Sequence, residues 1–294
     1  MTRRGRAAPR WMRNGHVHGI MVHPMTQTSR APSHSHLTSV QPRAARSVDY
    51  GLDAPGVVNG FAALGILTLF VGIALELLGA TLNLRRLGGI ASWTGITFAV
   101  TALLMIASSR FGKLRARDRL FHRLHIRGHE TVLDVGCGRG LLLVAAAHRL
   151  TTGRAIGVDV WSQRDQAENS ASATLANAET EGVRDRVEVR DADMRALPLP
   201  DASVHVVVSS LAIHNLRDAA ERGRAIGEIV RVLRPGGIAA LIDIAHVAEY
   251  ARAFHARGCV IEQIGFVPTM FPPTRELMVR KVLVNRRGRR LQPT

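Results

Sequence analysis

Thr131-Val132-Leu133-Asp134-Val135-Gly136-Cys137-Gly138-Arg139-Gly140 decides how the rest of this 294-residue chain is read. Its first five residues are apolar or β-branched apart from one acid, the composition of a buried strand. Glycines follow at once, and Leu141 to Leu150 continues as a helical run. Strand, glycine turn and helix in that order suit a nucleotide-type cofactor, because glycine takes the backbone angles of a tight turn and lets the main chain close on a ligand. A second strand, Arg154 to Asp159, ends in an acid nineteen residues after Gly140, where a carboxylate can accept hydrogen bonds from both ribose hydroxyls. The spacing is GxGxG and not the GxGxxG of dinucleotide sites. Asp134, inside so apolar a strand, requires a partner.

Three further motifs follow in order. VLDVGCGRG at 132–140, GVDVW at 157–161, ADMRALPLPD at 192–201 and LRPGG at 233–237 have the order and spacing of the class I S-adenosylmethionine-dependent methyltransferases. Residues 130–284 resemble that superfamily, nearest to the small-molecule branch that includes quinone-biosynthesis C-methyltransferases. The resemblance implies an α/β fold: a doubly wound, seven-stranded Rossmann-like sheet whose last hairpin reverses one strand. Strand signals at Val187–Arg190, Val204–Ser209, Ile238–Ile244, Val260–Ile264 and Leu277–Val284 agree with it. A helical pattern over Arg217–Leu233 ends at Pro235-Gly236-Gly237.

The same resemblance implies S-adenosylmethionine as cofactor and assigns its contacts. Asp134 orients the glycine loop and reaches the methionine amino group, while Gly136, Gly138 and Gly140 let the backbone close on the methionine portion. Asp159 holds the ribose hydroxyls, and Asp193 takes the adenine amino group with the Met194 backbone beside it. Trp161 covers one adenine face or pads the pocket rim. His205 stands where the family often has Asp. Methyl transfer needs mainly in-line positioning, and a base only where the nucleophile has a proton to lose. His214, in the loop Ser209–Asn215 that the family fold turns towards the methyl group, is the first general-base candidate; capping the next helix or shaping the pocket is its structural alternative. Asp243 and His246 come next. An Asn-Pro-Pro-Tyr-type motif is absent, which argues against adenine or glutamine amino-group methylation.

Composition bounds the remainder. The net charge is +16, from 39 basic and 23 acidic residues. It sits in the flanks: +6 over 1–56, +1 over 57–109, +6 over 110–129, −1 over 130–284 and +4 over the basic tail 285–294. A nucleic-acid enzyme is expected to carry its basic residues on the working domain, so no nucleic-acid partner is expected. Two cysteines, Cys137 and Cys259, exclude a disulfide framework and a four-Cys zinc site. Residues 1–56, rich in Arg, Ser, Pro and His, show no apolar periodicity and are expected to be disordered. His16, His18, His23, His34 and His36 match no compact ligand set, so no metal site is expected. Met12, Met21 and Met25 leave room for a later start.

Residues 57–109 differ in kind. Val57 to Leu75 is nineteen residues without a charge, and Leu87 to Ser109 is 23; at 1.5 Å per residue the latter spans roughly 35 Å, against ~30 Å for a hydrocarbon core. The pattern predicts a transmembrane hairpin, 57–84 and 87–109, with a loop around Asn83, Arg85 and Arg86. The alternative is a pair of buried core helices. Basic residues Arg43 and Arg46 before it, and Arg110, Lys113, Arg115, Arg117, Arg119 and Arg123 after it, place both termini and the catalytic domain in the cytoplasm. A cleavable signal peptide is not expected, since the first apolar run lies far from Met1. Trp93 fits an interfacial anchor near the outer end, Glu76 is a functional or snorkelled acid, and Gly56 with Gly60 forms a small-xxx-small pair. Residues 110–129 read as a basic amphipathic juxtamembrane helix with Leu114, Phe121 and Leu124 on its apolar side, facing lipid headgroups or opening the next domain. The chain thus reads as a membrane-anchored methyltransferase with a small, lipophilic acceptor taking the methyl group on oxygen or carbon. A cofactor-binding membrane scaffold or sensor without turnover is the competing class.

Overall fold

The strand opened by Thr131 is the centre of the molecule. The computed structural model describes residues 48–162, 166, 168–284 and 290–291. The histidines and alternative starts before residue 48, and most of the basic tail, lie outside them. β1 (Thr131–Val135) is flanked by β2 (Arg154–Asp159) and β4 (Val204–Ser210) in a seven-stranded sheet. With β3 (Val187–Asp191), β5 (Leu233–Asp243), β6 (Cys259–Val267) and β7 (Thr274–Lys281), the order is β3-β2-β1-β4-β5-β7-β6. All neighbours are parallel except β7, which runs antiparallel to both β5 and β6. The expected reversed strand is therefore present, although β7 starts and ends three residues earlier than the sequence pattern suggests. The Pro235-Gly236-Gly237 that was expected only to stop a helix lies within β5, where the pairing with β4 shifts register between Val204 and Val206.

The helices cover both faces. α4 (Leu141–Ala147) and α5 (Ala171–Thr180) pack over one face with α3 (Lys113–Leu124); α6 (Ala219–Val232) and α7 (Val247–Ala256) cover the other. Alternation along β1 feeds both cores: Val132 faces the first, Leu133 and Val135 the second. Asp218 caps α6, its carboxylate accepting the Glu221 N–H at 2.8 Å. Beyond the sheet, β8 (Leu283–Val284) pairs with β9 (Arg290–Leu291).

Before the sheet stands a helical hairpin. α1 (Pro55–Leu78) and α2 (Leu82–Ala107) are joined by residues 79–81, and Thr81 caps α2 by accepting the Leu84 N–H. Asn83, Arg85 and Arg86 are thus inside the first turns of α2 and do not form the loop. Trp93 lies eleven residues into α2, about 16 Å along its axis, deeper than an outer-end position. Packing between the two helices uses a seven-residue spacing of small residues. A Cβ on Gly72 would lie 2.5 Å from the Ser92 nitrogen, and one on Gly95 would lie 2.6 Å from the Leu69 nitrogen. Gly88 is confined similarly, a Cβ there lying 2.7 Å from the Glu76 nitrogen, and Gly65 less so, at 3.0 Å from the Ala99 nitrogen. By contrast Gly56 and Gly60 face open space, so the expected four-residue pair makes no contact. The inner seam is small; the outer surface carries Ile66, Leu67, Phe70, Leu77, Ile90 and Leu103, all exposed. Glu76, near the hairpin tip, accepts a hydrogen bond from Ser92 Oγ at 2.9 Å.

Helical structure runs unbroken from Leu82 to Leu124, passing from α2 through a π-helical turn, Ser108–Gly112, into α3. α3 is the opening helix of the catalytic domain: Ala116, Leu120, Phe121 and Leu124 are buried in its core. At ~1.5 Å per residue, Arg123 lies roughly 20 Å along the helix from Arg110, so α3 forms a stalk between the hairpin and the sheet domain. Gly112 is pressed on the Thr269 carbonyl, and the Phe271 N–H donates to Ser108 Oγ at 2.8 Å.

Residues 48–54, expected to be disordered, form an ordered strap. The ammonium of Lys113, 4% exposed, donates to the carbonyls of Tyr50 and Gly51 (2.9 and 2.7 Å) and pairs with Asp53 at 3.1 Å. Arg139 in the glycine loop donates to the Asp49 carbonyl and carboxylate at 2.8 and 3.0 Å. The Asn177 amide brackets the same residue.

The seam makes a stability prediction. Gly72→Leu, which forces a side chain against backbone, should destabilise the hairpin by about 1–3 kcal/mol, the usual cost of overpacking, while Gly60→Leu should change little. Unfolding of the micelle-bound protein by a denaturing detergent reads the difference; equal midpoints for both variants would discard the seam.

Candidate active site

The carboxyl ends of β1, β2, β4 and β5 meet beneath the strap, and there the loops enclose one cavity of about 610 Å³. The glycine loop forms its floor. Gly136 has φ +71° and Gly138 φ +50°, conformations that side chains strain to adopt. Each is also crowded: a Cβ on Gly136 would strike Ala212, and one on Gly138 the side-chain oxygen of Gln166. Gly140 serves differently. With φ +86° it starts α4 against Thr174 and is not on the cavity wall.

Asp134 and Asp159 stand on either side of that loop. Asp159 accepts the Gly138 N–H at 2.8 Å and the Trp161 N–H at 2.7 Å, which fixes the carboxylate at the end of β2. Asp134 is 2% exposed and lines the cavity, and its Oδ2 has no hydrogen-bond partner among the described residues. Burial, reinforced by the charge of Asp159, pushes its carboxyl up to about 8; the Leu143 amide opposes this shift. A buried acid left without a counter-charge is costly. An orphaned carboxylate oxygen facing the cavity is the arrangement that a cationic ligand group, such as an amino acid ammonium, completes.

The residues expected beside adenine fall in different places. Asp193 and Met194 line the cavity. Arg195 clamps the Asp193 carboxylate at 2.5–3.0 Å and holds it below the usual carboxylate range, and the same guanidinium reaches Glu221 at 2.8 Å. Trp161 is a correction. With φ +59° its indole turns away, donates to the Asp191 carboxylate and packs against the α4-side core, while Val160 and Ser162 line the cavity in its place. His205 accepts the Thr131 N–H at 3.1 Å at the opposite end of the sheet.

The candidate bases separate cleanly. His214 lies in a short turn, Ile213–Asn215, and lines the cavity. Its Nδ1 is 2.5 Å from Asp243 Oδ1, a close approach without hydrogen-bond geometry, and its backbone N–H donates to Asp243 Oδ2 at 3.2 Å. Asp243 is buried and also accepts the Ile244 N–H (2.8 Å) and the Tyr250 hydroxyl (3.3 Å). It orients the histidine and is not itself on the cavity wall. His246, φ +59° at the start of α7, has its Nδ1 3.6 Å from Glu249 and lies off the cavity. Sequence reasoning missed Gln166, Arg195 and Tyr250; of these only Arg195, inside a quoted motif, carried any signal.

Residues 133–241 match the family described as methyltransferase domain. The 27-O-demethylrifamycin SV methyltransferase of Amycolatopsis mediterranei is 36% identical over 129 residues, 44% of this chain and 44% of the relative. An arsenite methyltransferase of Halobacterium salinarum is 36% identical over 122 residues, 41% of this chain and 29% of its own. The chain spans less than half the length of either relative. Among solved structures, a SAM-dependent methyltransferase from Aquifex aeolicus has a TM-score of 0.49 at 19% identity, covering 58% of this chain and 92% of its own. Residues 133–241 are thus similar to a methyltransferase domain.

Asp134 gives the site a pH signature. Since its carboxyl is raised to about 8, the ligand-free domain loses stability as pH climbs from the ordinary carboxylate range towards 8, and a cation bound at Oδ2 releases the proton. S-adenosylmethionine affinity should therefore rise with pH between 6 and 8, by up to on the order of tenfold per unit. Asp134→Asn should bind more weakly and without that slope. Calorimetry across this range decides, and a parallel slope in the variant would remove Asp134 from the linkage.

Proposed function

We propose that this chain is a membrane-anchored methyltransferase that methylates an oxygen or carbon of a small lipophilic acceptor, with His214 as general base. One observation carries the reading: a single cavity is lined by Asp134, Asp159 and His214 and also by Val57 and Met105 at the root of the hairpin. When bound, S-adenosylmethionine supplies a methyl group on a good leaving group. The protein's own work is then positioning and proton handling. The glycine loop and the two acids hold the donor end, and the strap and hairpin root exclude water from above. His214 takes the acceptor's proton, and Asp243 stabilises the imidazolium that results.

Membrane anchoring is supported by the inverted hairpin, whose small residues face inward while leucine, isoleucine and phenylalanine face outward. A core helix of a water-soluble protein would bury that surface, whereas hydrocarbon solvates it. Both helices have the length and composition to cross a bilayer. Arg110, Arg115, Arg117 and Arg119 at the stalk, against Arg85 and Arg86 at the tip, orient the catalytic domain towards the cytoplasm.

Two measurements test this. With labelled S-adenosylmethionine and a membrane lipid extract, the wild type should transfer methyl groups, and His214→Gln should slow the single-turnover step about 10²–10⁴-fold with S-adenosylhomocysteine affinity unchanged. Absence of wild-type transfer would favour a cofactor-binding scaffold. The full-length protein should also remain with membranes through alkaline and high-salt washes; release by salt alone would mean that the hairpin does not span.

A further inference from the structure

The two spans fix the level at which the sheet domain stands. Val57 is the third residue of α1 and Met105 the third from the end of α2, and both line the cavity at the carboxyl ends of the strands. From Val57 to Leu78, α1 rises roughly 33 Å, close to the ~30 Å of a hydrocarbon core. A hairpin that spans therefore ends at the cavity and holds that end of the sheet at the headgroup layer. The edge strand β6 ends there too, because it runs parallel to β5, both being antiparallel to β7. Its following turn is bonded to the hairpin root: Thr269 Oγ1 donates to the Gly112 carbonyl at 3.1 Å, and the Phe271 N–H to Ser108 Oγ at 2.8 Å. Phe266 precedes Thr269 by three residues, at most about 11 Å of chain.

Two exposed rings therefore share one level. Phe111, beside Gly112 in the π turn, is 62% exposed, and Phe266 is 57% exposed. Each has an exposed arginine next to it: Arg110 precedes Phe111, and Arg275 is the cross-strand partner of Phe266. Ile264, also exposed, is on the same face of β6 as Phe266. Phe111 follows Leu103, Leu104 and Ile106 on the unbroken helix, all of them exposed, so the patch continues the outer surface of the hairpin. An apolar edge strand open to water invites pairing with other chains unless something covers it. Rings flanked by arginines suit a headgroup layer, where the ring reaches the acyl boundary and the guanidinium stays among the phosphates.

We propose that the π turn and the carboxyl end of β6 form a second bilayer contact, in which Phe111, Phe266 and Ile264 enter the headgroup–acyl boundary while Arg110 and Arg275 meet lipid phosphates. This rests on the membrane-anchored reading and adds to it a lipid contact made by the sheet domain itself. Two contacts, the spans and β6, hold the domain against the bilayer where the spans alone would let it pivot. Val260, exposed at the opposite end of β6, is roughly 20 Å from Phe266 along the strand and stays in water.

The test uses full-length protein in vesicles of phosphatidylcholine and phosphatidylglycerol. Phe266→Cys, Ile264→Cys and Val260→Cys each receive the fluorophore nitrobenzoxadiazole. The native Cys137 and Cys259 are buried, and the unsubstituted protein measures their background. Lipids carrying a nitroxide high on the acyl chain should quench the probes at 264 and 266 about threefold or more above the probe at 260, and aqueous iodide should do the reverse. Ile264→Cys keeps Phe266 in place, so the reading does not depend on removing the ring. Iodide quenching at 264 and 266 as strong as at 260 would overturn the proposal, and a hairpin that still resists alkaline washing would keep the anchored reading. Shielding of 264 and 266 from both quenchers would overturn it in favour of a second copy of this chain on β6. Release of the full-length protein by salt alone would remove the anchored reading and this one together.

Discussion

The buried ammonium of Lys113 ties the strap to the stalk that joins the hairpin to the sheet domain. Lys113 is buried where the stalk enters the catalytic domain, and its three acceptors all come from the strap. Burying an ammonium is tolerable only when its hydrogens are all taken, and here two carbonyls and one carboxylate take them. The strap is thereby fixed over the glycine loop, α1 starts from a defined point, and Val57 becomes part of the cavity wall. This contact, with those of Arg139 to Asp49 and Ser108 to Phe271, keeps the glycine loop and the hairpin root close.

The cavity inherits an electrostatic character from the strands that end in it. β1, β2 and the loop after β3 each deliver an aspartate, and the nearest cations are neutralised locally. Such a site favours ligands that bring positive charge, which is the character of S-adenosylmethionine. It also explains why Asp134 holds its proton so firmly before a ligand arrives, since burial and Asp159 act in the same direction.

Much of this was legible in the chain. The glycine loop, Asp159 and the crossover order were readable because cofactor chemistry imposes residue types at fixed spacings. His214 was readable because its loop follows a strand whose end faces the site. Other features depend on single backbone torsions that leave no pattern. Trp161 and His246 both adopt positive φ, which turns one indole towards Asp191 and one imidazole towards Glu249. The strap escaped notice because its anchors are mostly main-chain carbonyls, and an extended segment bound through its backbone needs no periodic sequence. The hairpin seam was present as a seven-residue glycine recurrence, but a four-residue pair at Gly56 and Gly60 drew the reading to the wrong turns.

The uninterrupted run from Leu82 to Leu124 makes the hairpin more than a tether. About 65 Å of helix passes from its apolar half into the domain core, with only a π turn between. Bilayers differ in thickness, and helices answer a mismatch by tilting. A rigid rod that tilts at one end must swing at the other, and this rod carries Met105 and Ser108 on the cavity wall. Under the membrane-anchored reading proposed above, lipid thickness becomes a mechanical input to the geometry of the active site.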